Sequence, residues 1–359
     1  TTRNYNLKFA NHSKCILFTS GTTGPPKGVI VSDKMLIASA YATGVACDIN
    51  SKDRFLLWES LTHIGGIEIL LLCLMHDSRF VLLKKFSAKK FWKQIRKYKI
   101  TKLHYLGGIL DILLKQRAKY LDKKHQVKIG FGAGARRKTY YEFIKRFNIP
   151  LREVYGMTEA SSFTTINFQK KFGSIGKPLP WFKLKLVNKV NGIGEIVINE
   201  KQKGLITKGY YRDNKSTKML IQKDGLHTGD LGKIDRKGNV FYIGRIKDFV
   251  RVKGENISSW EIETNLNMHK DISESAILST KADIGEEDII ALLVSKNKTK
   301  LDKIASYFQK KLPKNYNPRY WSYVDAPPRT PTFRIDKKLI NLNSLKIYDF
   351  LNKKFIFLN

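Results

Sequence analysis

The sequence Phe18-Thr19-Ser20-Gly21-Thr22-Thr23-Gly24-Pro25-Pro26-Lys27-Gly28 follows a short apolar run that begins at Cys15. Its glycines allow backbone N–H groups to approach phosphate oxygens closely, its hydroxyls add further donors, and Lys27 adds a positive charge. The pattern therefore predicts a phosphate-binding loop at the end of a strand. It differs from the common nucleotide-binding loop, which ends in Gly-Lys-Ser/Thr, because Pro26 precedes Lys27. The alternative is a flexible Gly/Thr turn that binds no ligand.

Short apolar runs alternate with amphipathic segments from this loop to about Tyr155. The runs predict strands at 15–18, 55–58, 80–83, 103–106 and 127–130. Helical spacing predicts helices at 88–98, 109–117 and 138–147. Such alternation is typical of parallel strands covered by helices.

The pattern changes twice after Gly173. Glycine-punctuated strands at 183–187, 194–199, 229–234 and 240–243 predict a small, strongly bent β unit. Beyond Gly244, helices at 259–268 and 301–312 and strands at 275–278 and 289–294 predict a separate small α+β domain. The predicted fold class is α/β multidomain: parallel α/β sheet layers and a bent β unit in residues 1–246, then a small α+β domain in residues 247–359.

Further motifs follow the loop in a fixed order: His63-Ile64-Gly65-Gly66, Gly130-Phe131-Gly132-Ala133-Gly134, Tyr155-Gly156-Met157-Thr158-Glu159, Thr228-Gly229-Asp230, Gly244-Arg245-Ile246-Lys247-Asp248 and Lys253-Gly254-Glu255-Asn256. Together with the loop they resemble the adenylate-forming superfamily of AMP-binding enzymes, which includes acyl- and aryl-CoA ligases. The resemblance extends over nearly the whole chain. Segments 105–110, 154–161 and 251–258 look most like the crotonobetaine/carnitine-CoA ligase-like branch.

The resemblance implies an ATP-dependent enzyme that activates a carboxylic acid as an acyl-adenylate and then forms a thioester with coenzyme A. It implies ATP, Mg²⁺ and coenzyme A as cofactors. Only about a dozen residues precede the loop, so the large AMP-binding domain at 1–246 is expected to lack its N-terminal part. The domain at 247–359 is expected to be mobile, with a hinge at Lys247-Asp248.

The same resemblance assigns residue roles. The nucleotide-binding set is Thr19, Ser20, Gly21, Thr22, Thr23, Gly24, Gly132, Ala133, Gly134, Tyr155, Gly156, Asp230 and Arg245. Within it, the resemblance implies that Tyr155 stacks on adenine and that Asp230 and Arg245 bind the ribose. The catalytic set is Lys27, Thr158, Glu159, Lys247, Arg334 and Lys337, with Glu159 as the Mg²⁺ ligand. The acyl pocket is assigned His63, Gly107 and Gly108, and the coenzyme A path Arg251, Gly254, Glu255 and Asn256. The alternatives are a helix N-terminal acid for Glu159, a core tyrosine for Tyr155 and a satisfied core histidine for His63.

The sequence departs from the family pattern near its C-terminus. The family has Pro-x-Thr-x-x-Gly-Lys, whose lysine reaches the adenylation site, but here Phe333 replaces the glycine and Arg334 the lysine. A guanidinium keeps the charge but is a planar fork rather than a compact ammonium. Either Arg334 acts in place of the lysine, or Lys337 does, or adenylation is impaired.

The formal net charge of +35 comes mostly from lysines spread along the whole chain. This distribution favours a solvated basic surface over a specific nucleic-acid site, and allows at most peripheral membrane association. The three cysteines, Cys15, Cys47 and Cys73, have neither metal-ligand nor redox spacing, which favours a reducing, cytoplasmic location. The predicted partners are a small-molecule carboxylic acid and coenzyme A.

The sequence is also compatible with two other functions. The apparent truncation, Arg334 and the basic charge allow a catalytically weak nucleotide-binding relic. The motifs also allow an adenylating enzyme that uses an acceptor other than coenzyme A. Nothing after Lys337 resembles a carrier-protein domain, which favours coenzyme A.

Overall fold

The computed structural model describes residues 13–19, 26–169, 171–252, 255–281, 287–295, 297–329 and 335–358. The chain divides into two compact units. The first comprises Thr1–Ala135, Thr139–Thr228 and Gly232–Tyr242, and the second comprises Arg136–Lys138, Gly229–Leu231 and Ile243–Asn359. Each unit has its own apolar core. The domain boundary at 246/247 stays a prediction.

The elements up to residue 245 are mostly those that the sequence pattern predicts. The helices are α1 (Asp33–Cys47), α2 (Ile64–Met75), α3 (Ala88–Lys97), α4 (Gly107–Leu114), α5 (Arg137–Phe147) and α6 (Asn214–Leu220). The strands are β1 (Ser13–Thr19), β2 (Lys27–Ser32), β3 (Arg54–Leu57), β4 (Arg79–Leu82), β5 (Lys102–Leu106), β6 (Ile129–Ala133), β7 (Leu151–Met157), β8 (Ser162–Ile166), β9 (Ser174–Pro178), β10 (Phe182–Val190), β11 (Ile193–Glu200), β12 (Ile221–Gln222), β13 (Gly225–Ile234) and β14 (Val240–Arg245). The predicted elements are therefore present, with small shifts at their ends.

The predicted parallel pairing is confirmed for β3–β4, β3–β5, β5–β6 and β6–β7. The sheet then turns antiparallel, because β7 also pairs with β8 and β8 with β9. β9 pairs with β14, and the strand order continues through β13 and β11 to β10. The glycine-punctuated strands of the predicted bent β unit thus continue the sheet that contains the parallel strands.

Three helices, α1, α2 and the short α6, were not among the sequence predictions, and the first two are largely apolar. α1 is buried on most of its surface, including Ala38, Ala42 and Ala46, and α2 is apolar almost throughout. A helix that is buried on several sides has no polar face, so its apolar residues show no helical period. Searching for amphipathic spacing therefore passes over both.

The C-terminal end of α1 is held by a buried lysine. The Lys102 ammonium donates hydrogen bonds to the carbonyl oxygens of Cys47, at 2.6 Å, and Asp48, at 3.1 Å. It also lies 3.5 Å from the buried Asp53 carboxylate. A positive charge at a helix C-terminus satisfies unpaired carbonyl groups and interacts favourably with the helix dipole.

The remaining elements belong to the second unit: β15 (Phe249–Val252), β16 (Glu255–Ser258), α7 (Ser259–Leu266), β17 (Glu274–Lys281), β18 (Glu287–Val294), α8 (Leu301–Gln309), β19 (Tyr320–Tyr323), β20 (Ile347–Asp349) and β21 (Lys354–Ile356). Strands β17 to β21 form one sheet in chain order, and β15 pairs with β16. The core of this unit lies between the sheet and the two helices, around Trp321. The predicted α+β character is confirmed. None of the helices in the described ranges is long and apolar enough to span a membrane.

Candidate active site

The predicted phosphate loop connects two antiparallel strands of the first unit. Thr19 at the end of β1 pairs with Lys27 at the start of β2. The Thr19 hydroxyl donates a hydrogen bond to the Lys27 carbonyl oxygen over 3.4 Å. The two ends of the loop are therefore adjacent. Five predicted phosphate-binding residues lie outside the described ranges: Ser20, Gly21, Thr22, Thr23 and Gly24.

Glu159, the predicted Mg²⁺ ligand, lies in a single helical turn at Thr158–Ala160, directly after β7. Glu159 is buried, with 5% of its surface exposed, and Thr158 is buried beside it. The Tyr210 hydroxyl donates a hydrogen bond to Glu159 Oε1 over 2.8 Å. The Thr207 N–H donates to the Glu159 carbonyl oxygen over 2.9 Å. Both the backbone and the carboxylate of Glu159 are thus held in a defined direction.

Tyr210 connects Glu159 to the exit of the phosphate loop. The Lys27 ammonium lies over the Tyr210 ring, 4.9 Å from its centre, and the hydroxyl of the same tyrosine contacts Glu159. The backbone at Tyr210 pairs with strand β2 through an isolated β-bridge between Tyr210 and Val29. The structure therefore brings together two predicted catalytic residues, Lys27 and Glu159, through a tyrosine that the sequence reading missed. Its sequence signal is weak: a Tyr-Tyr pair after Gly209.

The predicted glycine segment at Gly132, Ala133 and Gly134 is at the end of β6. Glu153 on β7 accepts hydrogen bonds from the N–H groups of Gly134, at 2.6 Å, and Ala135, at 3.2 Å. Its other carboxylate oxygen accepts from the Tyr105 hydroxyl over 2.7 Å. Burial and the adjacent carboxylate raise the pKa of Tyr105 well above its usual value. Glu153 is a second residue that the motifs did not indicate.

Gly107 has a packing role at the start of α4. A Cβ at this position would overlap the carbonyl oxygen of Gly134, so only glycine allows α4 to approach the end of β6. Gly108, the other predicted pocket glycine, is the second residue of α4 and is half-buried. Their predicted contact with an acyl group stays a prediction.

Tyr155 and Gly156 lie where β7 meets β8. Tyr155 is buried within the apolar core of the first unit, and its ring centre lies 6.3 Å from that of Tyr242. Gly156 lies at an irregularity in the β7–β8 register, where a Cβ would overlap the carbonyl oxygen of Ser162. The structure therefore gives Tyr155 a core environment, and its stacking on adenine stays a prediction.

His63 is the N-cap of α2. Its Nδ1 atom accepts a hydrogen bond from the Gly65 N–H over 3.2 Å. A Cβ at Gly65 would overlap the Glu59 carboxylate, which lies against this helix terminus. A negative charge is favourable there because the N–H groups and the helix dipole face it. His63 thus has a local structural role, and its predicted contact with an acyl group is untested.

A buried polar cluster beside α2 was also missed by the sequence reading. His104 Nδ1 lies 3.2 Å from Glu59 Oε2, and the His104 ring stacks on Phe131 with centres 5.1 Å apart. Burial opposes the charged form of His104, but the neighbouring Glu59 carboxylate outweighs burial and raises the His104 pKa. Burial likewise opposes the charged form of Glu59, yet His104 lowers the Glu59 pKa.

Glu68 completes this cluster and behaves differently. Among the described residues, neither of its carboxyl oxygens has a hydrogen-bond partner, and the side chain is fully buried. Burial raises the pKa of Glu68 to about 8, although the nearby His104 lowers it in part. Contact between Glu59 and His104 thus favours the charged form of each, whereas burial favours the protonated form of Glu68.

In the second unit, two predicted ribose-binding residues contact each other. Arg245 Nε donates a hydrogen bond to Asp230 Oδ1 over 3.1 Å, and Asp230 is buried. The Arg245 guanidinium can therefore orient the carboxylate that the motif assigns to the ribose. Lys247 follows in a single helical turn, Ile246–Asp248, with its side chain exposed.

Three of the predicted coenzyme A residues, Arg251, Glu255 and Asn256, lie on paired strands β15 and β16, where Arg251 pairs with Asn256. Arg251 is exposed, and its N–H donates to the Glu287 carboxylate over 2.8 Å. Gly254 and the side chains of Glu255 and Asn256 lie outside the described residues.

Of the two residues that could replace the family lysine, the structure describes only Lys337. Arg334 lies outside the described residues. The Lys337 ammonium lies 2.7 Å from the Glu263 carboxylate on α7, and both side chains are partly buried. In this arrangement Lys337 forms an ion pair within its own unit. Its predicted catalytic role would require that ion pair to open.

The sequence matches an enzyme family and is similar to several known enzymes. The model of the AMP-binding enzyme family matches residues 9–211. The 2-succinylbenzoate–CoA ligases of Oceanobacillus iheyensis and Bacillus cereus (strain Q1) are 30% and 29% identical over 326 and 331 residues. These alignments cover 88% and 89% of this chain but 66% and 68% of the relatives. The chain thus spans about two thirds of the length of these relatives.

Two solved structures share the fold. They are the o-succinylbenzoate CoA synthetase of Bacillus subtilis in complex with its acyl-adenylate intermediate, and ATP-bound MatB from Rhodopseudomonas palustris. Each is 25% identical, with TM-scores of 0.78 and 0.84 over 90% and 92% of this chain and 68% of each structure. Another structure of the Bacillus enzyme contains ATP and a magnesium ion. The similarity confirms the predicted fold class.

Proposed function

Because this chain belongs to the AMP-binding enzyme family, as its motifs predicted, we propose that it activates a carboxylic acid with ATP and transfers the acyl group to coenzyme A. This makes it an acid–thiol ligase, the class to which the 2-succinylbenzoate–CoA ligases belong by name. ATP, Mg²⁺ and coenzyme A are the cofactors, in agreement with the ATP and magnesium bound by the Bacillus subtilis enzyme.

One observation carries this proposal: a buried carboxylate beside the exit of the phosphate loop. Glu159 is held by Tyr210, and the ring of Tyr210 lies under the Lys27 ammonium. A directed carboxylate oxygen suits Mg²⁺, a hard cation that takes few protein ligands and completes its coordination with water and phosphate oxygens. The residues present therefore fit a magnesium–nucleotide site.

The residues of the chain perform the electrostatic part of the reaction. Attack of a carboxylate on the α-phosphorus of ATP brings negative groups together, so they must be neutralised and oriented. Mg²⁺, when bound, neutralises phosphate charge. Glu159 orients that ion, and the Lys27 ammonium adds positive charge at the loop exit. Asp230, oriented by Arg245, is proposed to accept hydrogen bonds from the ribose.

The acyl substrate is a small-molecule carboxylic acid. The named relatives make 2-succinylbenzoate the first compound to test, whereas the motifs had suggested the crotonobetaine/carnitine branch. Fatty acid metabolism, which the family resemblance also suggests, is not supported by these relatives, because they are named for 2-succinylbenzoate.

We place the enzyme in the cytoplasm, which agrees with its free cysteines Cys15, Cys47 and Cys73. We propose no specific nucleic-acid partner and at most peripheral membrane association, because the positive charge is spread along the chain.

The test is carboxylate-dependent exchange of pyrophosphate into ATP by the 359-residue chain, measured with 2-succinylbenzoate, crotonobetaine and a fatty acid. Coenzyme A is then added and the thioester identified by mass spectrometry. Glu159→Gln is expected to abolish Mg²⁺-dependent exchange, while Glu142→Gln, which changes an exposed carboxylate, is expected to leave it intact.

The outcomes separate the three candidate functions. Exchange and a coenzyme A thioester support the proposal. Exchange without a thioester indicates another acceptor. ATP binding with no exchange for any acid indicates a nucleotide-binding relic, and tight, salt-sensitive nucleic-acid binding would strengthen that alternative.

A further inference from the structure

The segment Thr207–Tyr211 lies between the turn that carries Glu159 and strand β2, which leaves the phosphate loop. The Thr207 N–H donates to the Glu159 carbonyl oxygen over 2.9 Å, and the Thr207 hydroxyl donates to the Ile30 carbonyl oxygen over 2.6 Å. One residue therefore contacts both elements. The segment fixes the backbone of Glu159 relative to β2.

The same segment is bonded to β2 on either side of Tyr210. The Ile30 N–H donates to the Gly209 carbonyl oxygen over 3.0 Å, and the Tyr211 N–H donates to the Gly28 carbonyl oxygen over 2.7 Å. The Tyr210 N–H in turn donates to the Thr217 hydroxyl on α6 over 2.9 Å. Tyr210 is thus held by its backbone in a fixed position.

From this position the Tyr210 side chain contacts two residues of the proposed site. Its hydroxyl donates to Glu159 Oε1 over 2.8 Å, and its ring lies 4.9 Å from the Lys27 ammonium. A hydroxyl donor restricts the rotation of a carboxylate. The negative face of an aromatic ring attracts an ammonium. One side chain therefore orients an anion and a cation that the sequence places 132 positions apart.

We propose that Tyr210 is a positioning residue for magnesium–nucleotide binding, acting through the carboxylate of Glu159. The inference rests on the proposed function and deepens it. Tyr210 holds the carboxylate in the direction that the metal requires before the nucleotide arrives, which lowers the cost of ordering the site on binding. The ring keeps the Lys27 ammonium beside the loop exit.

A purely structural role for Tyr210 makes a different prediction. Its ring is half-buried and packs against the apolar core, so a structural residue would act through the ring and not through its oxygen. Tyr210→Phe keeps the ring and removes only the hydroxyl. Tyr211→Phe is the matched control, because the neighbouring side chain is exposed and its ring faces Arg212.

The experiment measures ATP binding by calorimetry over a Mg²⁺ titration, which does not depend on turnover. Tyr210→Phe is expected to raise the Mg²⁺ concentration for half-maximal ATP binding about tenfold, the effect of losing one hydrogen bond to a charged group. Tyr211→Phe is expected to match the wild-type protein. In a Glu159→Gln background, the added effect of Tyr210→Phe is expected to fall below about twofold, because the charged acceptor is gone.

Three results would overturn parts of this reasoning. Wild-type-like Mg²⁺ dependence in Tyr210→Phe, with the wild-type protein binding Mg·ATP, would overturn the role of Tyr210 alone. An equal effect of Tyr210→Phe in the Glu159→Gln background would show that it does not act through that carboxylate. No Mg²⁺-dependent ATP binding by the wild-type chain would overturn the proposed function, and this inference with it. Urea unfolding of each variant shows whether a loss of ATP binding is caused by a loss of the fold. If Tyr210→Phe unfolds, 3-fluorotyrosine at position 210 is compared with the wild-type protein instead, because it keeps the hydroxyl and lowers the pKa of that hydroxyl.

Discussion

Replacing Glu68 with glutamine should change how the stability of this protein depends on pH. Glu68 is fully buried, neither of its carboxyl oxygens has a hydrogen bond among the described residues, and burial raises its pKa from 4.5 to about 8. Between these values the folded state holds a proton that the unfolded state releases. The free energy of unfolding must therefore fall as the pH rises through this interval, and it is highest below the lower value.

The magnitude follows from the difference between the two pKa values. Between about pH 5.5 and about pH 8.5, the ionisation of Glu68 lowers the free energy of unfolding by about 3 kcal/mol. Each pKa unit corresponds to about 1.36 kcal/mol. Other groups titrate over the same range, so the useful quantity is the difference between wild-type protein and Glu68→Gln. Glutamine keeps the size of the side chain and cannot ionise. The wild-type protein is expected to lose about 3 kcal/mol more stability than the variant.

The assay is urea unfolding followed by tryptophan fluorescence at several pH values. Glu142→Gln serves as control, because Glu142 is exposed and its replacement is expected to leave the pH dependence of wild type unchanged. Parallel pH dependence in wild type and Glu68→Gln would refute the reasoning. It would mean that Glu68 is ionised in the folded state, or that a neighbouring group compensates for it.

The other predictions concern packing and capping. Lys102→Met is expected to lower the free energy of unfolding by about 3 kcal/mol, because it leaves the buried Asp53 carboxylate without this ammonium; a loss below about 1 kcal/mol in urea unfolding would contradict this. His63→Ala is expected to cost about 1 kcal/mol as a lost N-cap, whereas an altered KM for the acid without a stability loss would favour the acyl-pocket role. Gly156→Ala is expected to cost about 3 kcal/mol or more and to weaken ATP binding, because its Cβ would overlap the Ser162 carbonyl; near-normal unfolding and binding would show that the β7–β8 bulge can adjust.

The sequence predicted the local elements of the fold well. Amphipathic segments such as α3 and α5 alternate with apolar runs such as β3 and β5, and these periods are visible without any tertiary contact. The buried helix α1 was missed because its apolar residues occur on most sides. The antiparallel continuation through β8 and β9 was not foreseen, because the sequence pattern predicted neither of these two strands.

The sequence by itself indicated a phosphate-binding loop, because the hydroxyls, glycines and lysine that such a loop needs lie close together in the chain. It identified the family through the resemblance of this loop and the later motifs to those of AMP-binding enzymes. It also indicated Glu159 and Asp230, which lie in such short motifs. Only the tertiary structure decided that Tyr210 contacts Glu159, 51 positions away, and that Glu68 is buried near His104. These contacts join segments that have no common period, so they exist only once the sheet and its helices have packed.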